Sequence, residues 1–305
     1  MVRYKFRKRQ KKEPRRYPWL ILVLLLALAL LMYLPFQVST CFKYSSNFNL
    51  IIANQDGNLE VTNFDNQNQE ITTIIIPGST QLIASRQLGS WKARGLWQLG
   101  INEDYSGELM RETVIKNLFM PVSAWASYSA LGLVQGNFWQ AVKSIVTPYK
   151  SSLKLGDKIK LALLSLRVSS LKKTTINLED TGFLKAARLT DGENGYLVSG
   201  DIPTSIASIF SDNLFSQKEV MILIKNYSSD DSVAESVGKV IEVLGAKVSS
   251  VTKEDSSDTD CTITGKDRAL VSVFGSVFNC DEKIGSPDGK FDIEMDLGEQ
   301  FVKRY

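Results

Sequence analysis

Three cations crowd one short stretch: Arg86, Lys92 and Arg94 fall within nine residues of SRQLGSWKARG, with Trp97 close behind. Guanidinium and ammonium groups at that density suit a phosphate or diphosphate, held by charge-assisted hydrogen bonds. A solvated loop is the plainer reading of the same run. Elsewhere the inventory excludes more than it offers. Histidine is absent from all 305 residues. That removes Ser-His-Asp and Cys-His nucleophiles and Cys/His zinc sites together. Asp255, Asp258 and Asp260 sit among Ser and Thr, and Asp191–Gly195 departs from a calcium-loop pattern. No catalytic residue, metal or cofactor is therefore expected. Ser151-Ser-Leu-Lys154, Lys173-Thr174-Thr175 and Ser211-Asp212-Asn213 echo penicillin-binding signatures, but in the wrong order and too close together.

The cysteines are Cys41, Cys261 and Cys280. Cys261 opens a short strand and a helix over 267–278 follows it. Four strand residues advance about 13 Å, and a 12-residue helix returning antiparallel covers about 18 Å. Cys280 thus returns near Cys261, and a disulfide between them is expected. Two separate buried thiols are the alternative.

Charge is distributed unevenly. Residues 1–16 carry nine Lys/Arg against Glu13, whereas the chain as a whole has a net charge of only +3. Tyr17 to Phe36 then runs YPWLILVLLLALALLMYLPF without a charge. Twenty helical residues cover about 30 Å, the thickness of a bilayer core, and the upstream cations set that side as cytoplasmic. The expected topology is a basic tail (1–16), a transmembrane helix (17–36), a linker (37–47) and an extracytoplasmic remainder, with no role in nucleic-acid binding. A cleaved signal peptide and lipidation at Cys41, after Val38-Ser39-Thr40, are the competing outcomes.

The elements that position these residues read as α/β with mixed sheets. Phe48–Ala53, Leu59–Phe64 and Ile71–Ile76 are predicted strands, punctuated by Asn54–Gly57 and Asp65–Asn68 and stopped by Pro77-Gly78. Leu109, Val114, Ile115, Leu118 and Phe119 mark a helix over 108–119. Phe138, Val142, Ile145 and Val146 have helical spacing, as do Ile159, Leu163, Leu166 and Ser170 in a basic, Leu-rich stretch. Such helices can lie on a membrane surface; packing of these stripes into the same domain is the simpler account. Residues 176–198 read as strands and turns. The last 85 or so residues read as a compact β-α-β-β-α-β module, with Gly245 ending its first helix.

Two resemblances follow from these residues. Val220–Asn226, the turn to Ala234, Val243–Val248 with Gly245, and Asp292–Gln300 with Gly298 resemble the C-terminal domain of LytR-type envelope proteins. Ile74–Thr80 is similar to the LytR-CpsA-Psr strand followed by Pro-Arg-Asp-Thr: Pro77 and Thr80 match, while Gly78 and Ser79 replace the Arg and Asp. The resemblance implies two outer domains, a divergent LytR-CpsA-Psr-like one (48–215) and a LytR C-terminal-like one (216–305). It also implies a polyprenyl-diphosphate-binding Arg that this chain lacks. The expectation is an anchored envelope protein that binds glycopolymer, lipid-linked precursor or a protein partner without catalysis; the alternative is a divergent glycopolymer transferase. Restoring Arg and Asp at 78 and 79 is expected to leave folding nearly undisturbed, since loops tolerate charge.

Overall fold

The computed structural model describes residues 39, 41–216 and 218–305. The expected basic tail and the expected span at 17–36 lie outside them. Among the described residues no helix is long and apolar enough to cross a membrane.

Strands β1 (Asn47–Ala53), β2 (Leu59–Asp65) and β3 (Glu70–Ile76) form an antiparallel meander. Gly57 takes φ +88° in the first turn, which a residue with a side chain adopts only at a cost. Asp65 Oδ1 accepts from Gln67 N and Asn68 N, both at 2.8 Å, and closes the second. A short strand (Thr80–Ile83, β4), its hairpin partner (Ser90–Lys92, β5) and helices α1 (Ala93–Asn102) and α2 (Glu108–Leu118) come next. β6 (Ala124–Ser127) adds to β1 in parallel.

A layer of three helices, α3 (Gly132–Gln135), α4 (Phe138–Val146) and α5 (Leu155–Arg167), precedes β7 (Lys173–Asn177), which pairs with β3. The first sheet therefore has the order β6-β1-β2-β3-β7. Alternation places Ile51, Val61 and Ile74 in the core beneath α1 and α2, while Leu50, Ile52 and Phe64 face the α3–α5 layer. Both faces are covered, so β1 is buried along nearly its whole length.

The stripe expected to pack inward on α5 is the outward one. Leu161, Ala162, Leu164 and Ser165 are buried, with Ser165 Oγ donating to Val134 O of α3 at 2.7 Å, whereas Leu155, Leu163 and Leu166 are exposed and Ile159 is half-buried. On α4, Ala141 and Ser144 are buried, and Phe138 and Val146 are exposed.

β8 (Leu184–Arg188) and β9 (Asn194–Val198) complete a second sheet of order β5-β4-β9-β8. Helices α6 (Thr204–Phe210) and α7 (Asn213–Ser216) lead to the third. There β10 (Met221–Tyr227), α8 (Asp231–Val243), β11 (Lys247–Lys253), β12 (Cys261–Gly265), α9 (Arg268–Phe278), β13 (Asp281–Ile284), β14 (Ile293–Gly298) and α10 (Glu299–Arg304) follow in order. Asp230 and Asp267 cap α8 and α9 by accepting from Ser232 N and Ala269 N, each at 2.9 Å.

The sheet order is β11-β10-β14-β12-β13. The expected β-α-β-β-α-β reading lacks β13 and α10, and the chain's last strand lies at the centre of its sheet. β13 is exposed at every residue, so no apolar alternation marks it in the sequence. Because β12 and β13 are parallel, with Thr262 opposite Asp281, α9 returns the chain to the start of β12. Cys261 and Cys280 are bonded there, with a Cα–Cα distance of 5.0 Å.

Arg111 of α2 is 3% exposed and reaches across to α9. Its Nη1 donates to Val277 O (2.7 Å), Ser276 O (3.2 Å) and Val122 O (3.1 Å), and its Nε to Glu108 Oε1 (2.9 Å). Arg304 Nη2 donates to Phe278 O and Asn279 O, both at 3.0 Å. Two arginines from distant parts of the chain thus cover the C-terminal end of one helix, where backbone carbonyls carry partial negative charge.

Candidate functional site

The three candidate cations are not brought together. Arg86 stacks over the Tyr105 ring at 4.0 Å and makes a bidentate pair with Glu112 (2.8 and 2.9 Å), while its backbone N donates to Arg304 O at 3.2 Å. Lys92 and Arg94 share a shallow surface cleft with Gln81, Trp91, Leu189 and Thr190. There Lys92 binds Asp191 and Glu193, and Arg94 Nη2 lies 3.0 Å from Glu193 Oε2. Lys92 holds both carboxyls below their usual range, chiefly by donating hydrogen bonds to them, and its own pKa is raised in return. Two cations against two carboxylates leave no net positive charge, so an incoming diphosphate would have to displace both acids.

The Pro77–Thr80 turn is part of the framework. Gly78 N donates to Asn58 Oδ1 at 2.8 Å, and Gly78 O accepts from Arg94 N at 3.0 Å. A Cβ on Gly78 would lie 2.6 Å from Gly57 O and 3.2 Å from Arg94 Cβ. The expectation that charge restored at this position would be tolerated is therefore wrong, because the obstacle is backbone. Gly78→Arg should destabilise the fold by about 1–3 kcal/mol, and Ser79→Asp by much less. Paired urea melts of the two variants check this.

Thr80 closes the turn by donating its N–H to Pro77 O at 2.9 Å. The other motif residues also build structure. Asn226 is 2% exposed and donates to Asp230 O and Asp231 Oδ1 while accepting from Ser228. Ala234 packs in the core. Gly245 takes φ +94° after α8. Gly298 lies so close to Thr259 O that a Cβ would fall 2.1 Å from it.

A more enclosed cleft of about 270 Å³ lies where the linker, the first sheet and the third sheet's α9 meet. Its polar lining includes Asn49, Ser123, Ser152, Ser272, Ser276 and Glu282, with Phe42, Tyr44, Phe48 and Phe210 as its aromatic components. Lys43 is its one cation among the described residues, against Asp157, Asp212 and Glu282. Hydroxyls, amides and carboxylates beside aromatic rings suit a hydroxyl-rich ligand and disfavour a diphosphate.

The linker forms one wall of this cleft because two buried aspartates hold it. Asp157 Oδ1 accepts from Ser39 Oγ (2.7 Å) and Cys41 N (3.0 Å). Asp212 Oδ2 accepts from Ser45 Oγ and from Asn47 N (3.3 Å). Cys41 is fully buried, and burial, followed by the Asp157 charge, pushes its thiol far up. A thiol so placed presents no surface for acylation in this fold. Sequence reasoning missed this site because its residues come from six separate stretches. Among the described residues no group of His, Cys, Asp or Glu could hold a metal.

No family model matches the chain, and no curated protein matches it. Among solved structures, the chain is similar to TagV of Bacillus subtilis (9% identity, 67% of this chain and 99% of that one, TM-score 0.39). It is also similar to the LytR-CPS2A-Psr family protein YwtF (TagT) with bound octaprenyl pyrophosphate lipid (12%, 67% and 92%, TM-score 0.38). A third likeness is to the Lin1025 protein of Listeria innocua (12%, 52% and 92%, TM-score 0.36).

Proposed function

We propose that the chain is a single-pass cell-envelope protein whose extracytoplasmic body binds a glycopolymer, or the sugar portion of a lipid-linked precursor, without catalysing its transfer. The observation that carries this reading is the aromatic-walled cleft at the linker, whose hydroxyls and amides stand beside three carboxylates and one lysine. Neutralisation of Lys92 and Arg94 by Asp191 and Glu193 supports the non-catalytic part. So does the crowding at Gly78, where the resembling family has its diphosphate-binding Arg. The charge step between residues 1–16 and the apolar run 17–36 supports the topology.

The full chain in detergent micelles should bind oligomeric wall glycan saturably. Ser276→Trp, which fills the cleft from α9, should weaken that binding at least about ten-fold, equivalent to one lost anchoring contact. A polyprenyl diphosphate without sugar should not compete. Transfer of glycan from a lipid diphosphate to an acceptor at enzyme-like rates would overturn the reading in favour of a glycopolymer transferase.

A further inference from the structure

The outward stripes of α4 and α5 have no protein partner among the described residues. Trp139 is 77% exposed, Val146 75% and Leu155 50%; Phe138, Leu163 and Leu166 also face out. Trp139, Lys143 and Val146 lie on one stripe of α4, three to four residues apart. Leu155, Ile159, Leu163 and Leu166 follow the same rule on α5, and the two helices pack side by side. Isolated apolar residues on a surface are ordinary, but two adjacent stripes carrying an exposed Trp are not.

The charge around them has one sign. Residues 128–173 contain eight basic side chains and a single acid, Asp157. Asp157 is 2% exposed and faces the linker. No exposed carboxylate of this layer therefore balances Lys143, Lys150, Lys154 and Arg167, nor Lys158, which is half-buried with its Nζ 3.8 Å over the Tyr149 ring. Apolar and aromatic residues flanked by lysines on a helix surface match the interface of an anionic bilayer, where rings enter the headgroup level and ammonium groups meet phosphates.

The position of the chain supplies an independent argument. Ser39 is bonded to Asp157 in the first turn of α5. Phe36, the end of the apolar run, is three residues earlier. Three residues reach at most about 11 Å. If the run spans the membrane, its outer surface must lie beside this helix layer.

We propose that the outward face of α4 and α5 docks onto the anionic leaflet from which the chain emerges, inserting Trp139 and Phe138 while Lys143, Lys150, Lys154 and Lys158 contact lipid phosphates. The proposal rests in part on the topology proposed above, and the test separates the two. The full chain is reconstituted into phosphatidylcholine vesicles with and without phosphatidylglycerol, each carrying brominated acyl chains. Retention after alkaline washing reports the span, and quenching lost in Trp139→Phe reports docking.

Docking predicts Trp139-dependent quenching in the mixed vesicles that falls with salt. Each Lys→Gln change at the four positions should weaken docking by about five-fold. Full retention with no Trp139-dependent quenching in either vesicle would overturn the docking and leave the span intact. Release by alkali, with Trp139 still quenched at neutral pH, would overturn the span and leave the docking. If a soluble polyanion protects the four lysines from an amine reagent while Trp139 stays unquenched, the surface binds a polymer and the bilayer proposal fails.

Discussion

Arg111→Met should lower the free energy of unfolding by about 3–5 kcal/mol, the range for removing one member of a buried charged set. The cause is specific. Arg111 carries its charge at 3% exposure, and three of its hydrogen bonds go to backbone carbonyls at Val122, Ser276 and Val277. Truncation leaves those carbonyls without their donor, and each unsatisfied group adds its own desolvation penalty. Arg111→Lys keeps the charge but loses the planar fork, so it should recover only part of the loss. Urea denaturation decides between these outcomes. A midpoint within error of the parent for Arg111→Met would mean that the contact between α2 and α9 contributes nothing to stability.

Loss of the Cys261–Cys280 bond comes second in expected size. The bond closes a loop with a sequence separation of 19, for which chain entropy gives about 3 kcal/mol. The double variant Cys261→Ala/Cys280→Ala should melt earlier than the parent by that amount. Adding a reductant to the variant should change nothing further. The bond and Arg111 restrain the same end of α9, and Arg304 Nη2 lies 3.2 Å from Cys261 Sγ. Removing both restraints should therefore be non-additive, with a coupling of about 0.5–3 kcal/mol by double-mutant cycle. Strict additivity would show that the two act on separate unfolding units.

The sequence was readable where a local rule and the tertiary environment agreed. The β1–β3 meander announces itself by β-branched runs and Asx/Gly turns, and α8 and α9 by aspartate caps and apolar stripes. It was opaque where the environment reverses the local rule. In α5 leucines occupy two faces, and the smaller Ala162 and Ser165 lie on the buried one, where Ser165 bonds the backbone of α3. The stripe that looked like the core is thus the outer one. Arg111 and Glu112 occupy what reads as the solvent side of α2, yet both are 3% exposed because α9 and α10 cover them. No pattern within residues 108–119 could signal that cover. The cleft at the linker was equally hidden, since its lining comes from stretches more than 200 residues apart. The candidate cations were found by spacing alone, and spacing cannot show that Asp191 and Glu193 fold back onto them.

If residues 17–36 span a membrane as proposed, the fastening of Ser39, Cys41, Ser45 and Asn47 by Asp157 and Asp212 also decides where this protein can work. A flexible stalk would let the body sample a hemisphere of wall around its anchor, with a radius growing as the square root of stalk length. Here the slack between apolar run and folded body shrinks to a few residues. Encounter then becomes a search in two dimensions, set by lateral diffusion along the leaflet. A polymer strand deep in the wall would be out of reach however strongly it bound, while one still rooted at the leaflet would pass the cleft repeatedly. Inserting a flexible segment between Phe36 and Ser39 would replace the two-dimensional search by the hemispheric one without altering a single contact in the cleft.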